Sequence, residues 1–146
     1  MSWQTYVDQN LLGAGFCYAA IVGHDGSTWA ASPGYTVLPD EAARLAQLLG
    51  GDADTINTQL SSGGFKVAGQ QYAFTRAEVD DDDGGVPTLQ GRCKEEGKSA
   101  QGIIIYRTAQ ALIIGCHDPA YSNGASFNKA NMEMGKVADY MFENSF

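Results

Sequence analysis

The chain has 146 residues, a formal net charge of −8, 44% hydrophobic side chains and three cysteines. That length fits one domain, residues 1–146, with a core large enough to fold without disulfides or metals. The negative charge excludes a nucleic-acid binder of the basic-surface kind, because phosphate affinity comes mainly from Lys and Arg.

No apolar run approaches a membrane span, and the opening MSWQTYVDQN has neither the basic region nor the apolar stretch of a signal peptide. Cys17, Cys93 and Cys116 are widely spaced, with no C-x-x-C pair, and read as reduced thiols. A soluble, cytosolic protein is the expectation. The charge is uneven: from Arg92 to Lys136 six basic residues face four acidic ones, a local +2 that leaves −10 elsewhere. A mildly basic face on an acidic protein suits an acidic protein partner.

In chain order, Ser2 can cap a first helix carrying Trp3, Tyr6, Val7 and Leu11 at helical spacing, with Gly13 as the stop. Trp3 and Tyr6 share a face, and burial in the core is the commoner fate of such a pair. Phe16 to Val22 and Ser27 to Ser32 read as a hairpin around the Gly23-His24-Asp25-Gly26 turn, with His24 expected in solvent. Pro39, Asp40 and Glu41 open a second helix that ends at Gly50-Gly51, and Asp54 to Leu60 forms a short third. Phe65 to Val67 and Gln70 to Arg76 are two short strands. Ala77 to Pro87, with Asp80 to Asp83, reads as a solvated hairpin tip, since its carboxylates lack the alternate spacing of an EF-hand loop.

Thr88 to Cys93 is the next strand, and a charged connection, Lys94 to Gln101, leads to the most apolar part of the chain. There Ile103 to Tyr106 and Ala111 to Ile114 flank a short polar link and are rich in β-branched residues. Apolar residues on both faces predict a hairpin at the centre of a sheet covered on both sides. After a loop at Pro119 to Gly124, a long last helix presents Met134, Val137, Ala138, Met141 and Phe142 on its apolar face. The fold class expected is α+β in three layers: a central antiparallel sheet of six or seven strands, the first and last helices side by side on one face, two smaller helices on the other.

No Walker loop, G-x-S-x-G elbow or HExxH motif is present. His117-Asp118, next to Cys116, is the one pairing that invites a test for cysteine-hydrolase chemistry. What stands out is the placing of aromatics. Trp3, Tyr6, Trp29, Tyr140 and Phe146 converge if the first and last helices are neighbours. Such a shelf offers flat faces for pyrrolidine rings and N–H or O–H donors for the carbonyls of a polyproline II helix.

The opening Ser2-Trp3-Gln4-Thr5-Tyr6-Val7-Asp8, the Gly23-His24-Asp25-Gly26 turn with Trp29-Ala30, the strands around Gly102-Ile103 and Ala111 to Gly115, and Ala138-Asp139-Tyr140 resemble profilin, in order and over nearly the whole chain. The resemblance implies a cytoplasmic, cytoskeletal, non-catalytic monomer without a cofactor. Its partners would be monomeric actin, proline-rich segments of actin-assembly factors such as formins, and phosphoinositides, the last bound weakly given the small positive excess. It assigns polyproline binding to Trp3, Tyr6, Trp29, Tyr140 and Phe146, and actin binding to Phe74, Arg76, Lys98, Arg107, Asn131 and Lys136. A small-molecule sensor or longin-like regulatory domain is the alternative use of a covered antiparallel sheet.

Overall fold

The computed structural model describes residues 2–79, 86–120 and 126–146. Asp80 to Asp83 and most of the Pro119 to Gly124 segment lie outside them. Seven strands, β1 (Tyr18–Gly23), β2 (Thr28–Ala31), β3 (Phe65–Val67), β4 (Gln70–Glu78), β5 (Thr88–Cys93), β6 (Gly102–Arg107) and β7 (Ala111–His117), form one sheet. Its order is β2-β1-β7-β6-β5-β4-β3, with every neighbouring pair antiparallel. The apolar hairpin therefore occupies the middle, as its two-faced hydrophobicity demands.

The alternation along β6 shows how the two layers are built. Ile103 and Ile105 point into a core shared with α2 (Pro39–Leu49) and α3 (Ala53–Leu60). Ile104 points the other way, into a core shared with the N-terminal helix α1 (residues 3–14) and the last helix α4 (Phe127–Glu143). All three isoleucines are fully buried, and burying each stabilises the fold by about 1.5–3 kcal/mol. Among the described residues, no helix is long and apolar enough to cross a membrane.

Three details depart from the expected elements. Helix α1 begins as an α-helical turn at Trp3–Thr5, winds more widely over Tyr6–Leu11 and tightens at Leu12–Ala14. Its stop is Gly15, whose φ of 117° only glycine adopts readily, rather than Gly13. Phe142 is 45% exposed; Ala130 instead extends the buried stripe of α4. His24 is partly sheltered rather than free in solvent: its Nε2 donates to the Ala111 carbonyl oxygen at 3.1 Å, and desolvation lowers its pKa.

Candidate functional site: an aromatic shelf and an open sheet face

Five aromatic side chains meet where α1, β2 and the end of α4 come together. Ser2 Oγ accepts from the Thr5 backbone N–H at 3.3 Å and starts α1. Gln4 Nε2 then donates to the Ala31 carbonyl oxygen of β2 at 3.0 Å, which ties the helix to the edge strand. Trp3 is thereby brought over Trp29, with ring centroids 5.4 Å apart. On its other sides Trp3 meets Tyr6 at 5.6 Å and the edge of Phe146 at 5.0 Å, and Tyr6 continues the row to Tyr140 at 6.0 Å. These separations and tilts suit the aromatic quadrupole.

The shelf is held from below and left open above. Trp3, Tyr6 and Trp29 are half-buried on the α1/α4 core, while Tyr140 and Phe146 are 46% and 37% exposed. Gly23 makes room for Trp29: a Cβ there would lie 3.1 Å from the indole Nε1. Phe146 is fixed by its backbone. Its carbonyl oxygen accepts from the Gln110 N–H at 2.7 Å and the Thr108 hydroxyl at 2.9 Å, and its N–H donates to Met141 at 2.9 Å. Ser145, in the left-handed region at φ 63°, turns the chain back to make this possible. Hydrogen bonding with Tyr140 raises the pKa of the Tyr6 phenol, so the Tyr6 hydroxyl stays protonated and can donate.

The six residues assigned to the second site do not form one cluster. Arg76 pairs in register with Gln90, and Gln90 with Ile104, so its side chain lies on the α1/α4 side of the sheet. It pairs there with Glu78. Asn131 and Lys136 belong to α4, and Asn131 Oδ1 accepts from the Tyr106 hydroxyl at 2.6 Å. Arg107 and Phe74 lie on the opposite face: Arg107 Nε donates to the Ala46 carbonyl oxygen of α2 at 3.2 Å, and Phe74 packs on the α2/α3 core. Lys98 sits where β4 begins, its Nζ 3.3 Å from Gln70 Oε1, at the other end of that strand from Arg76.

Arg92 was missed. It is exposed, follows Gln90 by two residues on β5 and therefore shares the face of Arg76 beside α4. The two-residue period of β5 was the available signal, and the local charge count had already noted the residue. The hydrolase reading fails on the same alternation. Cys116 faces Tyr72, whose hydroxyl is 3.8 Å from its sulfur, while the neighbouring His117 packs edge-on against Phe127 of α4. The neighbouring Cys17 thiol and then burial push the Cys116 thiol far above its ordinary range, the reverse of what a hydrolase nucleophile needs. Among the described residues, no three His, Cys, Asp or Glu side chains are grouped to hold a metal ion.

Comparison with known proteins places this arrangement in a family. The Profilin family model matches residues 1–146. The chain is 40% identical to Profilin-2 of Acanthamoeba castellanii over 147 residues, covering 100% of both chains, and 33% identical to Profilin-2 of Dictyostelium discoideum, covering 99% of both. The crystal structure of Acanthamoeba castellanii profilin II superimposes with a TM-score of 0.76 at 34% identity, over 99% of this chain and 100% of that one. Mouse profilin IIa, solved with a double repeat from the FH1 domain of mDia1, shares the fold with a TM-score of 0.74 at 23% identity, covering 100% of both chains. The chain belongs to the profilin family.

Proposed function

We propose that this chain binds monomeric actin and, through the shelf of Trp3, Tyr6, Trp29, Tyr140 and Phe146, proline-rich segments of actin-assembly factors, and so regulates actin polymerisation in the cytoplasm without catalysis. The observation that carries the reading is the unbroken row of five rings with neighbouring centroids 5.0–6.0 Å apart. Stacked proline rings need such flat, pre-set faces. Family membership supports both partners: the mouse relative was solved with an FH1 repeat, and another fold relative, LokiProfilin2, with rabbit actin.

Actin would dock on the open part of the same sheet face. Helix α4 lies over β6 and β7 and helix α1 over β2, so Arg76 and Arg92 on β4 and β5 remain exposed beyond α4. Arg76, Asn131 and Lys136 serve this surface; Lys98 borders it at one end. Phe74 and Arg107 support the strands from behind. The two surfaces lie on opposite sides of α4, so both partners fit at once. Adding a proline-rich peptide to a complex of this chain with monomeric actin should give a three-component species on gel filtration. Displacement of actin by the peptide would refute the two-surface reading.

A further inference from the structure

Two thiols meet at the bulge where β1 begins. Tyr18 is the register partner of Cys116, yet the Cys17 backbone N–H also donates to the Cys116 carbonyl oxygen at 2.8 Å, so Cys17 and Tyr18 together oppose Cys116. The Cys17 thiol donates to that carbonyl oxygen at 3.1 Å, which seats it against the Cys116 backbone. Directly opposed residues of an antiparallel pair, here Tyr18 and Cys116, have Cα atoms about 4.5–5.5 Å apart, and the extra residue sets Cys17 beside that pair, near the range a disulfide spans.

The two sulfurs differ in access and acidity. Cys17 is half-buried and lines an open pocket of about 760 Å³ with Phe16, Tyr18, Tyr35, Gln70 and Lys98. Cys116 is fully buried behind it. The neighbouring Cys116 side chain holds the Cys17 thiol below its ordinary pKa, while Cys17 and then burial raise Cys116, whose thiol donates to Gln101 Oε1 at 3.7 Å. The first proton therefore leaves from the sulfur that faces the pocket. Tyr35, 5% exposed, lines the same pocket, and its hydroxyl has no hydrogen-bond partner among the described residues. A buried donor without a partner calls for an explanation, and a small oxygen-bearing molecule in the pocket supplies one.

We propose that Cys17 and Cys116 form a peroxide-responsive thiol pair, with Cys17 attacking and Cys116 resolving, that closes a disulfide between β1 and β7. The Cys17 thiolate attacks one oxygen of hydrogen peroxide; the O–O bond breaks, Cys17 becomes a sulfenic acid, and the departing hydroxide takes up the proton Cys17 had released, forming water. The Cys116 sulfur then attacks Cys17; the S–S bond forms, the S–O bond breaks, and the hydroxyl leaves as a second water with the proton from Cys116. Two thiols lose two electrons and peroxide gains them. Cys93, buried with its thiol 3.6 Å from Gln70 Oε1, takes no part.

The test treats the full chain with hydrogen peroxide, blocks remaining thiols by alkylation in denaturant, and maps peptides by mass spectrometry without reduction. The expected result is a Cys17–Cys116 linked peptide, lighter by two hydrogen atoms and released by dithiothreitol. It should be lost in Cys17→Ser and kept in Cys93→Ser. In Cys116→Ala, Cys17 should stop at a sulfenic acid that dimedone traps. Thiols that stay reduced, Cys17 driven to sulfinic acid in the wild type, a link through Cys93, or dimers joined through Cys17 would each overturn the proposal.

Discussion

At the scale of single residues, the shelf depends on side chains that never touch its surface. Thr108 is 1% exposed, and its hydroxyl lies 2.9 Å from the Phe146 carbonyl oxygen and 3.1 Å from that of Ala111, while accepting from the Ala111 N–H at 3.2 Å. Thr108→Val removes one of the two donors to the Phe146 carbonyl and the side-chain acceptor of the buried Ala111 N–H, so it should cost about 1–3 kcal/mol of stability and weaken proline-peptide binding while actin binding holds. Denaturant unfolding and peptide titration check the two parts. Gly23→Ala would put a Cβ 2.6 Å from Asp25 Oδ1 and 2.8 Å from Ser27 Oγ, as well as against the Trp29 indole. It should displace Trp29 and reduce peptide affinity in a folded protein; unchanged affinity would show that Trp29 does not need its present seat. Neither position could be found from the sequence, because both act through contacts made only after the chain has folded. The five rings were legible, since each carries its chemistry in its own side chain.

Elements were legible where periodicity was strong and less so where the chain turns. The two-faced hairpin predicted the middle of the sheet, and the order of elements predicted two helices on each face. The sequence points to Gly13 as the end of α1, because the wide winding over Tyr6–Leu11 that carries the helix on to Gly15 has no sequence signature. The spread of the six residues that the resemblance assigns to actin was not legible, because a list of positions does not carry the alternation and the strand irregularity that send Arg76 and Arg107 to opposite faces. Helix α3 offers an element-scale prediction. Asp52 accepts from the Thr55 N–H at 2.7 Å, and hydrogen bonding to Thr55 holds its carboxyl below the ordinary carboxylate range. A folded-state pKa lowered in this way contributes stability above the unfolded value and loses it as pH falls through the folded value. The backbone NMR shifts of Thr55 and Ile56 should therefore move toward coil values on acidification in the wild type but not in Asp52→Asn. Equal movement in both would remove Asp52 as the cap.

On the scale of the whole molecule, helix α4 separates the two proposed docking surfaces on one face of the sheet, and a net charge of −8 restrains a proposed third. Arg76→Glu or Arg92→Glu should weaken actin binding more than Arg107→Glu, whose side chain is engaged with α2, and all three should leave proline-peptide binding unchanged; sedimentation equilibrium with actin would show a failure of that ranking. Attraction to an anionic leaflet is worth about 1 kcal/mol for each basic residue near the surface, so an excess of two between Arg92 and Lys136 predicts weak phosphoinositide binding. Replacing Asp80 to Asp83 with Asn should strengthen it in liposome sedimentation, and strong wild-type binding would contradict the charge argument. The most direct test of the central claim uses the fact that the chain's two tryptophans, Trp3 and Trp29, both lie in the shelf. Intrinsic tryptophan fluorescence, titrated with poly-L-proline, should change saturably in the wild type, and in a folded Tyr6→Ala variant the affinity should fall by about 2 kcal/mol, the loss typical of an interface hot spot. An unresponsive wild type, or a Tyr6→Ala variant that binds as tightly, would contradict the account.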